Sequence, residues 1–442
     1  MSMFINRTEE RNTLEEIYNS KKAELVLLYG RRRVGKSRLL IESIKDKNAK
    51  YLLADASDNI LDIFSKQIND EFIKLSNWDD FFEFVLKSKY EIFIIDEFQY
   101  LVQVDKSWLT ILQRWWEKLK ESNKKIILCG SIISSIYKIA RGYGSALYGR
   151  KTREMDILPL KFRHISKMLP GYSAEELVKA YCILGGIPRY LEEFDKNESI
   201  ENNLKNKVFN KNSFLYNEPI NLLTEEFRDF SSYLAILLAI SEGKTQFNEI
   251  SDYSHISTNK LPKYISVLER VEIIKKEVPI TEEKLKSKNT RYFIKDNFYN
   301  FWLTFVMKNK SQIEQGLKEL ILSSAHQHFN AYFGKIFEHI CKEIMADKLK
   351  AISRIGRWWY KDNEIDIVAL NEATQKIYFA ECKWKDNVDA EEILSQLKKK
   401  AKEVNWNNEK RKEEYLIFAK SFSKKTGEAA LVDLKEIEKY LD

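Results

Sequence analysis

Leu25-Val26-Leu27-Leu28-Tyr29 runs directly into Gly30-Arg31-Arg32-Arg33-Val34-Gly35-Lys36-Ser37, and Leu39-Leu40-Ile41-Glu42 follows. An apolar strand, a glycine-bearing loop and a helix start, in that order, are the context of a phosphate-binding loop. Each residue type has a reason. Glycines let backbone N–H groups turn toward phosphate oxygens, and a helix N-terminus adds fixed partial positive charge. Lys36 has the reach for β- and γ-phosphates, and the Ser37 hydroxyl is a ligand for Mg²⁺. A nucleoside triphosphate, ATP by expectation, is the ligand this stretch implies.

Outward from the loop, apolar runs recur at 50–54, 91–96 and 125–130, with helical patterns between most of them. Strands that are apolar throughout and alternate with helices imply a parallel sheet covered on both faces. The run Ile92-Phe93-Ile94-Ile95-Asp96-Glu97 delivers two acids to a strand tip. Asp96 is placed to bind Mg²⁺ or one of its waters, and Glu97 to polarise the attacking water. The next run, Ile126-Ile127-Leu128-Cys129-Gly130-Ser131, ends in a hydroxyl suited to sensing the γ-phosphate. Beyond it, Arg150 is the first choice for an arginine finger acting on a neighbouring subunit, with Arg153 and Arg141 as rivals; a surface ion pair accounts equally well for each.

Phe4-Ile5-Asn6-Arg7, the Gly30–Ser37 loop, Ile94-Ile95-Asp96-Glu97-Phe98-Gln99, Cys129-Gly130-Ser131, Tyr148-Gly149-Arg150 and Gly185-Gly186-Ile187-Pro188-Arg189-Tyr190-Leu191 together resemble the archaeal-type ATPase family, a branch of the AAA+ and STAND-like P-loop ATPases. The resemblance implies an α/β P-loop NTPase domain with a helical lid. It places Arg7, Gly30, Arg31, Arg32, Arg33, Val34, Gly35, Lys36, Ser37, Arg38 and Ser131 around the nucleotide. It puts Pro188 against the base or sugar, and Arg189 where a lid arginine reaches phosphate. Without the family, Gly-Gly-Ile-Pro is only a helix break.

Residues 160–225 alternate helical patterns with breaks, as a lid does. Helical patterns at 233–240, 245–250 and 257–268 precede two strand candidates, 272–279 and 290–294. Three helices and a two-stranded hairpin make a winged helix–turn–helix. Lys260 and Lys263 on its second short helix, and Lys284, Lys286 and Lys288 in the wing, suit phosphate contacts. The alternative is a packing unit between domains. Both readings stand at this point.

The C-terminal stretch carries a second constellation. Phe333, Phe337, Ile340 and Ile344 recur at helical spacing with Glu338 on the flank. Glu364 to Leu370 alternates as a strand, and Ile377 to Lys383 follows a polar turn. Residues two apart on a strand share a face, so Glu381 and Lys383 point together and a hairpin partner brings Asp366 beside them. Asp366 and Glu381 would ligate Mg²⁺, Lys383 would orient water or offset phosphorane charge, and Glu338 would complete the shell. This is the PD-(D/E)xK nuclease pattern, with Glu364-Ile365 where the motif has its leading proline. Arg357-Trp358-Trp359, Glu364-Ile365-Asp366 and Glu381-Cys382-Lys383-Trp384 together closely resemble the domain of unknown function fused to archaeal-type ATPases. A degenerate, DNA-binding version of the same fold stays open. Gln396 resembles a helix glutamine near such sites, and Lys398, Lys399, Lys400 and Lys402 either track a DNA backbone or form a solvated face.

Composition bounds the rest. The 442 residues suggest about three domains. With the lid counted apart from the ATPase core, we expect four segments: 1–160, the P-loop ATPase core; 161–225, the lid; 226–310, the winged helix; and 326–442, a restriction-endonuclease-like α/β domain. A net charge of +7 allows a polyanionic partner without demanding one. Four cysteines without paired spacing exclude a disulfide framework and a structural zinc site. No apolar run is long enough to span a membrane, and no signal peptide pattern is present, so a cytoplasmic location is expected. The function implied is ATP hydrolysis coupled to Mg²⁺-dependent DNA cleavage, in mobile-element maintenance or defence. The alternative is a nucleotide switch whose C-terminal domain only binds DNA or a partner. An arginine finger would require a second copy of the chain.

Overall fold

The computed structural model describes residues 7–69, 73–140, 147–282 and 289–441. The chain forms two compact units, residues 1–159 and 160–442.

The first unit is built on strands β1 (Glu24–Tyr29), β2 (Ala49–Leu53), β3 (Ile92–Asp96), β4 (Lys125–Gly130) and β5 (Arg153–Asp156). They form one sheet in the order β2-β3-β4-β1-β5, and every neighbouring pair is parallel. Alternation along each strand feeds two separate cores. Leu25, Leu27, Phe93, Ile95, Ile126 and Leu128 face one core with Phe81, Phe82 and Trp108. Val26, Leu28, Ile92, Ile94, Ile127 and Cys129 face the other with Leu14, Ile17 and Leu40. Burial on both faces is why β1, β3 and β4 read as unbroken apolar runs. The order sets β4 between β1 and β3, so the ends of these three strands present the loop at Gly30, Ser131 and the Asp96-Glu97 pair side by side.

Strand β5 was not anticipated from sequence. Its residues, Arg-Glu-Met-Asp, carry one buried apolar side chain, because an edge strand is covered on one side only. The strand takes up Arg153, one of the candidate finger residues, whose guanidinium pairs with Glu16 at 3.0 Å.

In the second unit, helices Ala174–Leu184, Pro188–Leu191 and Phe214–Glu226 occupy the stretch expected as a lid. Helices Phe230–Ser241, Phe247–Ser254 and Leu261–Arg270 then precede an antiparallel hairpin, β6 (Ile274–Glu277) and β7 (Arg291–Ile294). The wing lysines Lys284, Lys286 and Lys288 lie outside the described residues, as does Arg141. A 31-residue helix, Lys318–Lys348, follows; it runs straight through residue 326, where a domain boundary was expected.

The last part is a mixed sheet in the order β14-β12-β10-β9-β8. Its strands are β8 (Arg354–Tyr360), β9 (Asn363–Asn371), β10 (Lys376–Lys383), β12 (Lys412–Ala419) and β14 (Ala430–Val432); β11 (Val388–Asp389) and β13 (Phe422–Lys424) pair beside it. Strands β8, β9 and β10 are antiparallel, and β10, β12 and β14 are parallel. The helix Ala390–Ala401 packs Leu397 and Ala401 against Ile365, Val368 and Phe379.

The β6–β7 hairpin is docked on this sheet. Ile280 donates its N–H to the Arg357 carbonyl at 2.9 Å, extending the ladder beyond β6 to the edge strand β8. Arg291 lies 4.7 Å from the Trp359 ring, and Arg357 lies 5.4 Å from the Phe293 ring. Among the described residues, no helix is long and apolar enough to cross a membrane.

Candidate functional site

The loop after β1 takes its shape from two glycines. Gly30 has φ 154°, and a Cβ there would meet the Ile157 carbonyl oxygen at 2.4 Å. Gly35 has φ 94° and faces open space, the room a phosphate requires. Gly35 also caps the helix Lys36–Ser43, whose first N–H groups point back into the loop. The Lys36 ammonium is buried and donates to the carbonyls of Gly30 and Arg31, both at 2.9 Å. Burial pulls its pKa down, while the charges of Glu97 and Asp96 oppose that shift. Arg7 is buried and donates to the Val34 carbonyl at 2.9 Å, so it braces the loop from beneath.

At the tip of β3 the acids are held by neutral donors. Ser37 Oγ donates to Asp96 Oδ2 at 2.6 Å, and the Glu97 N–H donates to Asp96 Oδ1 at 2.9 Å. Tyr51, on β2, donates its hydroxyl to the same Oδ2 at 2.5 Å. Burial and the neighbouring Asp96 raise the Tyr51 pKa, which keeps the phenol a donor. Glu97 has φ 55°, a left-handed backbone that a glutamate adopts only under constraint. Its Oε2 accepts from Ser131 Oγ at 2.7 Å and from the fully buried Gln99. A hydroxyl beside a carboxylate, both hard oxygen ligands, fits a magnesium ion, which takes one or two protein ligands and keeps its waters.

The expected finger and lid residues have partners within their own units. Arg150 lies 3.7 Å from Glu117. Arg189 pairs with Glu193 at 2.6 Å and sits 5.0 Å from the Phe214 ring, and Pro188 opens its short helix. Arg32 reaches the Tyr100 hydroxyl at 3.3 Å. Arg31, Arg33 and Arg38 are half-buried around the loop.

The second constellation converges on β9 and β10. Ile367 and Ala380 are cross-strand partners, and just beyond them the Cys382 N–H donates to Asp366 Oδ2 at 2.8 Å. Lys383 Nζ lies 2.8 Å from Glu381 Oε1, as two residues on one strand face should. Lys400, from the helix Ala390–Ala401, reaches the same oxygen at 3.2 Å. Glu381 is buried, and its Oε2 has no hydrogen-bond partner among the described residues. Burial, with the charge of Glu381 added, pushes the Asp366 pKa up to about 6.

Glu338 departs from expectation. Its Oε2 is paired with Arg357 at 2.9 Å, and Arg357 also holds Glu364 at 2.6 Å. Burial pushes the Glu338 pKa up to about 8; Arg357 opposes this, and Asp366, Glu364 and Glu381 add to it. Among the described residues, no group of three or more His, Cys, Asp or Glu side chains is arranged to hold a metal ion. The third carboxylate expected in the shell is committed instead to a guanidinium. Asp366 and Glu381 remain as a two-carboxylate set, sufficient for a cation that keeps most of its waters.

Residues 4–194 match the family described as an ATPase domain predominantly from Archaea, and residues 302–414 match archaeal and bacterial proteins of unknown function. An uncharacterized protein of Methanocaldococcus jannaschii is 36% identical over 448 residues, covering 98% of this chain and 100% of the relative. The chain belongs to the archaeal-type ATPase family. A second protein of that organism, described as an uncharacterized ATP-binding protein, is 50% identical over 48 residues, 11% of this chain and 81% of the relative. Among solved structures, the Walker-type ATPase PABY2304 of Pyrococcus abyssi is 22% identical, with TM-score 0.49, covering 68% of this chain and 96% of that one. The ORC2 protein of Aeropyrum pernix, in ADPNP–ADP complexes, is 13% identical, with TM-score 0.45, covering 71% of this chain and 96% of that one.

The Gly30–Ser37 loop, where the sequence leads one to expect the nucleotide, lies in the first unit of this ATPase and within the matched residues 4–194. Four contacts of this enzyme were not read from its sequence: Tyr51 on Asp96, Gln99 on Glu97, Lys400 on Glu381 and Arg357 on Glu338. For Tyr51 a signal existed. It is a polar-tipped aromatic on a strand beside the one that ends in Asp96. Lys400 was visible only as one of several helix lysines. Arg357 was visible as part of the family-like stretch 357–359, but its pairing with Glu338 gave no signal without the register of β8.

Proposed function

We propose that this ATPase turns over ATP at the Gly30–Ser37 loop and cleaves DNA at the Asp366–Glu381–Lys383 site with Mg²⁺. For the first activity, Lys36 would exchange its loop carbonyls for phosphate oxygens, and Ser37 with Asp96 would hold the cation. The cation would supply charge neutralisation across the β- and γ-phosphates. Glu97 would take the proton of the attacking water, with Ser131 and Gln99 fixing its carboxylate. Arg150, with Arg153 and Arg141 as alternatives, would act on a second copy, and Pro188 and Arg189 would close over the nucleotide.

For the second activity, Asp366 and Glu381 would hold the cation, which lowers the pKa of a bound water. Lys383 would leave Glu381 and serve the phosphate oxygens. The observation that carries this reading is the convergence of Asp366, Glu381 and Lys383 on β9 and β10, with Glu381 Oε2 unpartnered among the described residues. The three helices and hairpin of residues 226–310 are read as a winged helix. Its hairpin contacts with β8 and β9 favour a packing role for the strands, leaving the exposed Lys260 and Lys263 for phosphates. DNA and a second copy of the chain are the partners expected.

A second reading has its own support. Glu338 is paired with Arg357, and Glu381 already has two lysines; both fit a nucleotide-switched domain that binds DNA or a partner without cutting it. The test is an assay on supercoiled, branched and single-stranded DNA with Mg²⁺ or Mn²⁺, with and without ATP. Cleavage lost in Asp366→Ala and in Lys383→Ala, with ATP turnover retained, supports the nuclease. Salt-sensitive DNA binding without any cleavage supports the switch.

A further inference from the structure

We propose that Tyr51 is a positioning residue for the magnesium ion of the nucleotide site, acting through Asp96. This deepens the reading of Ser37 and Asp96 as the cation pair, and rests on it.

Strand geometry puts the phenol there. Tyr51 of β2 is the cross-strand partner of Ile94 of β3. Asp96 lies two residues beyond Ile94, on the same face of the sheet. It is thus the diagonal neighbour of Tyr51, about 7 to 8 Å away between backbones, a span that only a long side chain bridges. The hydroxyl closes that span, 2.5 Å from Asp96 Oδ2. Ser37 Oγ sits on the same oxygen at 2.6 Å, and the Glu97 N–H holds the other oxygen at 2.9 Å. The carboxylate plane is therefore fixed by three donors from three elements: the loop helix, β2 and the turn after β3.

The donors have different fates. Ser37 must release Asp96 to become a cation ligand, and when it does the carboxylate loses one of its two restraints on Oδ2. Tyr51 approaches from the neighbouring strand and can keep its hydrogen bond throughout. Its hydroxyl is neutral, so it orients the acid without cancelling the charge the cation needs. A lysine at this position would hold Asp96 equally well but compete with the ion. Hydrogen bonds to a charged group are each worth enough to change an equilibrium by about tenfold or more.

The experiment uses the full chain and a fluorescent, non-hydrolysable ATP analogue, titrated with Mg²⁺. Affinity for the analogue without Mg²⁺ is the internal reference, and a melting curve checks each variant. In Tyr51→Phe, which keeps the ring and loses the donor, half-saturation is expected at about tenfold more Mg²⁺. Tyr51→Gln, which retains an N–H donor, is expected to recover part of that shift. Half-saturation at the native Mg²⁺ concentration in Tyr51→Phe overturns the proposal. Ser37→Ala is run beside it: if that variant shifts and Tyr51→Phe does not, only the Tyr51 role fails. If Ser37→Ala also keeps the native Mg²⁺ response, the cation pair itself is wrong and the Tyr51 role falls with it.

Discussion

The two carboxylate sites of this chain are dressed differently. Asp96 and Glu97 accept from two hydroxyls, a backbone amide, a serine and a glutamine, all of them neutral. Glu381 and Glu338 are instead paired with Lys383, Lys400 and Arg357, all of them charged. Neutral donors orient an acid without cancelling its charge, and the Lys36 ammonium that acts on these acids is held by loop carbonyls and not by the acids themselves, so a divalent cation still gains strong electrostatic attraction on arrival. Fixed cations cancel that charge in advance, and an incoming metal must displace them. On the proposed function, the first site receives magnesium with its nucleotide, and the second would receive it only when something else, such as a phosphate backbone, takes up the lysines.

The comparison breaks first at Lys36. Removing its ammonium takes away the loop cation expected on the β- and γ-phosphates, and Lys36→Ala is expected to weaken ATP binding at least a hundredfold, read by displacement of a fluorescent analogue. Comparable affinity in that variant would mean that the arginines of the loop, not Lys36, hold the phosphates. Next in size is Glu97→Gln. General-base contributions run to about 10² to 10⁴ in rate, so turnover should fall by that order while ATP still binds. Preserved turnover would remove Glu97 from the chemistry and reduce its left-handed backbone to a structural detail.

Arg357 sharpens the other half. Arg357→Met leaves Glu338 and Glu364 without their shared partner in a largely buried setting, expected to cost about 3 kcal/mol of stability in urea unfolding of the second unit. A Glu338→Gln change in the same background should recover part of the loss well above pH 8, where Glu338 would otherwise carry an isolated charge, and little of it at pH 7, where burial keeps the carboxyl protonated. If Arg357→Met is neutral, the cation-paired character of this site has been overstated.

The smallest effect is on pH. All five histidines fall after residue 159. Burial, assisted by Arg163, Lys167 and Lys161, holds His164 down at about 4. Its folded pKa is below the unfolded value of about 6.5, so the unfolded chain binds more protons in that window. The stability this group contributes is present above pH 6.5 and is lost as pH falls toward 4. Half-buried His339, beside Lys275 at 2.9 Å, is likewise held below the usual histidine range by desolvation and acts in the same direction. Melting of the native chain at pH 7 and at pH 5, against His164→Gln, should show a smaller acid loss in the variant.

The sheet of the first unit was legible because strands buried on both faces must be apolar throughout, and the loop, Asp96-Glu97 and Ser131 sit at their ends. Strand β5 was not, because an edge strand of Arg-Glu-Met-Asp carries little burial signal. In the second unit the alternation at 364–370 and 377–383 exposed β9 and β10, and with them the meeting of Asp366, Glu381 and Lys383. Strand β8 was not read as a strand, Arg357 stood out only as part of the family-like stretch 357–359, and the pairing that takes Glu338 out of the expected shell went unseen. Which acid meets which cation depends on register between elements far apart in the chain, and periodicity within a segment carries no such information. The helix Lys318–Lys348 makes the same point: its continuity through residue 326 hides the boundary that a change in pattern suggested.

The contrast between the sites is tested most directly by titrating Mn²⁺ into the full chain with a non-hydrolysable ATP analogue and following the free ion by electron paramagnetic resonance. The account predicts one tight ion, lost in Asp96→Asn and in Lys36→Ala, and a weaker one, lost in Asp366→Asn and strengthened when Lys400 is changed to Gln. A tight ion that survives Asp96→Asn, or that disappears in Asp366→Asn, would contradict it.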